Sequence, residues 1–144
     1  MIYALLLFAG GMSCPVLTTP SVRGAIGEVT VTRVEKDAGY ECRFASAEVE
    51  LMVTVNKLAG PERFGTLADE ECAGGRDVAK LRAIGNEARA CSSGTNGAMA
   101  EKVVGRVRNQ AFVIRLTSSD KLASAKDLRS KVTGLAEQVA GNLF

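Results

Sequence analysis

Four cysteines, Cys14, Cys42, Cys72 and Cys91, have the most chemistry open to them in this 144-residue chain. The chain contains no histidine. That removes Ser/His/Asp and Cys/His catalysis, histidine-ligated metal sites and histidine pH switches. The cysteine spacings include no Cys-x-x-Cys, which argues against a structural zinc site or a thioredoxin-like motif. An even number of cysteines in an exported chain favours disulfides, and four allow three pairings. The competing chemistry is a reactive or metal-bound thiol, which here lacks both a histidine and a close cysteine pair to support it.

Other short motifs resolve into plain structure. Ser118-Ser119-Asp120-Lys121 matches the Ser-x-x-Lys nucleophile pattern but stands without its companion motifs. Helix capping accounts for it better. Asp69-Glu70-Glu71 lacks the alternating oxygen ligands of a calcium loop and reads as a solvated face. Ile84-Gly85-Asn86-Glu87 reads as a tight turn, with Gly85 at positive φ and Asn86 bonding locally. Arg106 and Arg108 sit near a hairpin tip, where they could meet an anionic partner or keep a strand from aggregating. There is no glycine-rich phosphate loop. No catalytic, cofactor-binding or metal-binding residue is expected, and no cofactor.

The elements that must position these residues begin after a leader. Residues 1–13 carry no charged side chain and include the apolar run Ile2-Tyr3-Ala4-Leu5-Leu6-Leu7-Phe8-Ala9. The run is too short to span a bilayer, which takes about 20 apolar residues. It suits the core of a signal peptide, with Gly11 and Ser13 preparing cleavage before Cys14. The basic start of such a signal is missing, which points to an upstream start or an atypical signal. Cleavage before a cysteine also opens a lipoprotein route with lipidation of Cys14, although Gly11-Met12-Ser13-Cys14 fits the usual lipobox poorly. Residues 14–144 then form a single domain, large enough for an ordinary core. An apolar fraction of 47% supports that core, and a net charge of +2 with interspersed signs gives no nucleic-acid footprint.

Thr19-Pro20 reads as the start of a short helix that carries Val22 and Ile26 and closes at Gly27. A β-branched run at 28–34 predicts a strand, and Asp37-Ala38-Gly39 a turn. Tyr40, Cys42 and Phe44 alternate with Glu41 and Arg43. Val49, Leu51, Val53 and Val55 alternate with polar residues in the clearest strand of the chain. Gly60-Pro61 breaks the sheet before a helix with Phe64, Leu67 and Ala68, stopped by Gly74-Gly75. Residues 76–84 are ambiguous between helix and strand, and 92–97 form a polar loop by composition. A hairpin from 101 to 116 turns at Asn109-Gln110, with Phe112, Ile114 and Leu116 on its core face. The closing helix starts near Ser119 or Asp120 and buries Leu128, Val132, Leu135 and Val139, with Lys126, Arg129 and Lys131 off that stripe. The result is an α+β domain: an antiparallel sheet of four to six strands flanked by a short N-terminal helix and a long C-terminal one.

Two stretches carry a resemblance. Cys14-Pro15-Val16-Leu17-Thr18, a short helix ending at Gly27, and then Cys42 and Phe44 resemble a group of bacterial secreted proteins and lipoproteins of uncharacterised function. Their domain opens Cys-x-Leu-Leu-Thr and carries a mid-chain Leu-Gly-Asp-Glu-Ala, which Ile84-Gly85-Asn86-Glu87-Ala88 matches with two substitutions. The resemblance implies a PsbP-like fold and an exported location, periplasmic or extracellular, but no activity. Cys72 and Cys91 are not part of the group's pattern.

Position selects one pairing of the four cysteines. Cys14 immediately precedes the first helix, and Cys42 shares a strand face with Tyr40 and Phe44, so packing that helix on the sheet brings the two together. Cys72 and Cys91 flank the middle segment and form a local bridge. The expected function is an exported, non-catalytic domain that binds a protein or cell-envelope component, without a membrane span or nucleic acid. The alternative is a small hydrolase or thiol-dependent enzyme.

Overall fold

Alternation of apolar and polar side chains along successive segments produces the sheet on which everything else rests. The structure is a computed structural model, described here over residues 13–144 except Asn96 and Lys121. Residues 1–12, which hold nearly all of the expected signal segment, lie outside the described residues. Seven strands follow one another: β1 (Thr30–Lys36), β2 (Gly39–Ala45), β3 (Val49–Lys57), β4 (Arg76–Leu81), β5 (Glu87–Thr95), β6 (Ala98–Val107) and β7 (Gln110–Ser118). The helices are α1 (Thr19–Ile26), α2 (Phe64–Glu71) and α3 (Ala125–Leu143), with a 3-10 turn at Pro61–Arg63 leading into α2. The strands form one antiparallel sheet in the order β1-β2-β3-β7-β6-β5-β4. Two meanders, β1-β2-β3 and β4-β5-β6-β7, therefore meet along the β3–β7 ladder.

The α+β class stands, but seven strands replace the four to six expected. The difference lies in the middle of the chain. The ambiguous segment after Gly75 is the edge strand β4, paired to β5 with a register shift between Arg76 and Ala79. The polar residues read as a loop belong to β5: Ser92, Ser93 and Gly94 pair with Glu101, Ala100 and Met99 of β6. Small polar residues are poor strand formers by themselves. Here the ladder to β6 and a buried hydrogen bond at Ser92 override that preference.

One face of the sheet holds the main core. Leu51, Val53, Val55, Val103, Phe112, Ile114 and Leu116 face α3, which buries Leu128, Val132, Leu135 and Val139. Val22 of α1 and the preceding Val16 and Leu17 complete the same cluster. The amide of Asn142, near the end of α3, donates to the Val16 carbonyl at 2.8 Å and joins the two ends of the domain. On the opposite face α2 places Phe64, Ala68 and Cys72 against Cys91 and Val104.

Local starts and stops differ from the sequence reading in detail. Thr18, not Thr19, caps α1: its hydroxyl accepts from the Ser21 amide, with Pro20 in the first turn. Gly27 closes that helix at φ 87°. α3 starts at Ala125, capped by Ser124 accepting from the Asp127 amide. Ser119 instead donates its amide to the Glu48 carbonyl and prolongs the β3–β7 ladder by one step. The β6–β7 hairpin turns at Arg108-Asn109, one residue earlier than expected, because Val107 pairs with Gln110 and Arg108 takes φ 56°.

Candidate functional site

All four cysteines are bonded, Cys14 to Cys42 and Cys72 to Cys91, with Cα atoms 5.9 and 5.8 Å apart. These separations lie within ordinary disulfide geometry. Cys42 faces the main core between Tyr40 and Phe44, so the first bond ties the segment before α1 to the helix-covered face. Cys91 points to the other face, so the second ties the end of α2 there. A lipid anchor on Cys14 would need the sulfur that the first bond already uses.

The candidate motifs are absorbed by the frame. Gly85 sits at φ 61° in a turn, as read from the sequence, but Asn86 does not bond locally. Its side-chain oxygen accepts from the Arg108 amide at 2.6 Å, clipping that turn to the tip of the β6–β7 hairpin. Arg106 is not free for a partner: Nε meets Glu87 at 2.8 Å, and Nη1 donates to the Arg108 carbonyl. Asp69 pairs with Arg89 and Glu71 with Lys102, so the acidic run ties α2 to the sheet. The Ser118 hydroxyl accepts from the Asp120 amide in the turn after β7, a local cap and not the cap of α3. No cluster of three potential metal ligands occurs among the described residues.

Sequence reasoning missed a buried polar network. Glu101 of β6 is 2% exposed. Its carboxylate accepts from Arg129 Nε at 2.6 Å, while Arg129 Nη2 donates to the Ser92 hydroxyl and the Asp77 carbonyl. Arg129, expected off the core-facing stripe, thus joins α3 to β4, β5 and β6. The partners lie on separate elements, so no local pattern reveals them.

The ionisation of Tyr40 is displaced. Burial raises the pKa of its phenol above the ordinary 10.0; Arg33 opposes the rise and Glu35 adds to it. The Arg33 guanidinium lies 5.0 Å from the ring centroid, a cation–π contact on the β1–β2 ladder.

Two of the hollows among the described residues lie on opposite faces of the sheet. The larger, about 580 Å³, is an open cleft between the end of α1 and the start of α3. Ile26, Val49 and Leu128 form its apolar wall, and Glu48, Asp120 and Asp127 its acidic rim. The smaller, about 150 Å³, lies on the outer face of the sheet beneath α2. Met52 and Thr54 of β3, Val113 and Arg115 of β7, Lys102 of β6 and Leu67 of α2 line it. Alternation in β7 already put Arg115 on the side away from the core, but nothing local showed what surrounds it. Beyond this hollow the outer face of β1 and β2 is open to solvent, with Val34 54% exposed.

No protein-family model matches the chain, and no curated protein matches it. Among solved structures the chain is similar to a GTP-binding regulator from Thermotoga maritima, with 11% identity and a TM-score of 0.43. The likeness covers 88% of this chain and 93% of that one. At that level it carries neither fold nor function to this chain.

Proposed function

We propose that this chain is an exported, non-catalytic domain that binds a protein or cell-envelope component through the sheet face its helices leave open. The observation that carries this reading is the asymmetry of the sheet: α1 and α3 cover one face except at the cleft between them, while α2 covers only part of the other. The two disulfides support an oxidising compartment, periplasmic or extracellular. Within this proposal the fold is the PsbP-like variant of the α+β class, and the chain belongs to the secreted group with the Cys-x-Leu-Leu-Thr opening. A thiol enzyme would first have to reduce one of the two disulfides.

The immobilised chain should capture a component from an envelope extract. Capture should be lost with Thr32→Glu and Arg43→Glu on the open face and kept with Lys126→Glu on the solvent side of α3. Capture indifferent to the open-face pair, or no capture at all, would count against the reading.

A further inference from the structure

Arg115 and Lys102 stand directly opposite each other on β7 and β6. Like charges in that position oppose sheet formation. Lys102 has its remedy in α2: its amine lies 3.1 Å from the Glu71 carboxylate and 2.9 Å from the Glu71 carbonyl. The other outer-face cations of the five inner strands are also matched, Arg43 by Glu50, Arg89 by Asp69 and Arg106 by Glu87. Arg115 forms no ion pair among the described residues. Glu50, which shares a neighbouring hollow with it, is drawn to Arg43 on the far side at 3.7 Å. The centre of the outer face therefore holds one half-buried guanidinium without a counter-ion, beside a second cation.

We propose that the hollow beneath α2 is a binding site for a small carboxylate, with Arg115 as its anion-binding residue. The assignment rests on the reading of the outer face as the binding surface. A guanidinium offers two parallel N–H donors that match the two oxygens of a carboxylate. Met52, Leu67 and Val113 supply an apolar wall for a short hydrocarbon, and Thr54 and Asn56 add polar groups beside it. A volume of about 150 Å³ corresponds to about five waters' share of the liquid. It suits an acid of a few carbons better than a nucleotide or an oligosaccharide. One unmatched positive charge suits a singly charged acid better than a phosphate dianion, which would also face Glu71.

The test is methyl NMR of the full chain titrated with butyrate, butyramide and inorganic phosphate. Butyrate should shift Met52, Leu67 and Val113 saturably, with a Kd on the order of 1 mM, and butyramide should not. Arg115→Gln should weaken butyrate at least tenfold while the Leu128 and Val132 signals of the core stay in place. Met52→Glu, which sets a carboxylate directly opposite Arg115, should do the same. If Arg115→Gln fails to fold, Met52→Glu decides alone. No saturable shift with butyrate, equal binding by the variants, or phosphate binding in preference to butyrate would overturn the site. Capture from an envelope extract is read separately, so the broader binding role and the carboxylate site can fail independently.

Discussion

Glu101 shows how much one side chain can hold together. It is a carboxylate at 2% exposure whose charge, among the described residues, is matched by Arg129 alone, and Arg129 is 23% exposed. The pair is therefore asymmetric. Arg129→Met strands a buried charge and is expected to cost about 3–5 kcal/mol. Glu101→Gln leaves the guanidinium some access to water and is expected to cost less. Urea unfolding of the two variants compares them directly, and equal losses would show that Glu101 finds other solvation. Tyr40 gives a second test at this scale. Its pKa is raised in the folded state, so the neutral phenol is favoured there, and the unfolded phenol ionises first, near 10.0. The contribution is complete below that value and declines as pH climbs toward the folded pKa. Thermal unfolding should thus fall more steeply with pH above about 10 in the native sequence than in Tyr40→Phe.

The elements divide into those whose pattern is local and those whose cause lies elsewhere in the chain. β2, β3 and β7 alternate cleanly, and α3 repeats Leu128, Val132, Leu135 and Val139 on one face, so all four were legible in the sequence. β5 was not, because Ser92-Ser93-Gly94 has the composition of a loop and becomes a strand only through β6 and Arg129. The start of α3 was displaced because Ser119, Asp120 and Ser124 all resemble caps, and only the ladder contact from Ser119 to Glu48 decides among them. The carboxylate hollow was legible only as outward positions on β3 and β7. Leu67 and Glu71, also in its lining, come from α2, which no alternation could place. Two substitutions test this layer by equilibrium unfolding. Ser124→Ala removes the hydroxyl that accepts from Asp127 and is expected to cost about 1 kcal/mol. Gly105 pairs with Phe112, and a Cβ at that position would run into the buried ring. Gly105→Ala should therefore cost about 1–3 kcal/mol through a displaced Phe112, and a neutral result would mean that the ring has room to move.

Across the whole molecule the two disulfides divide the labour between the faces of the sheet. Cys14–Cys42 closes 28 residues and enters the main core, where Cys42 is fully buried beside Phe44. Cys72–Cys91 closes 19 residues and joins α2 to the outer face, in a cluster separate from that core. Chain entropy alone gives the two bonds similar weight, about 3–4 kcal/mol each. Their places in the packing do not. Without Cys14–Cys42, the segment that covers β2 loses its tether while its Val16 and Leu17 are still part of the single main core, so the loss should be global. Without Cys72–Cys91, α2 is an eight-residue helix too short to persist by itself. It should open locally while the β3–β7 ladder stays closed. Native-state hydrogen exchange separates the outcomes. Replacing Cys72 and Cys91 together by Ser should erase protection in α2 and leave β3 and β7 near their native values. Replacing Cys14 and Cys42 should lower protection throughout the sheet, with a fall in Tm of roughly 10 °C. Uniform loss in both variants would mean that α2 belongs to the same cooperative unit as the core. The local result has a consequence for binding as well: α2 supplies Leu67 and Glu71 to the hollow around Arg115, so opening that helix should abolish butyrate binding in a protein whose sheet remains folded.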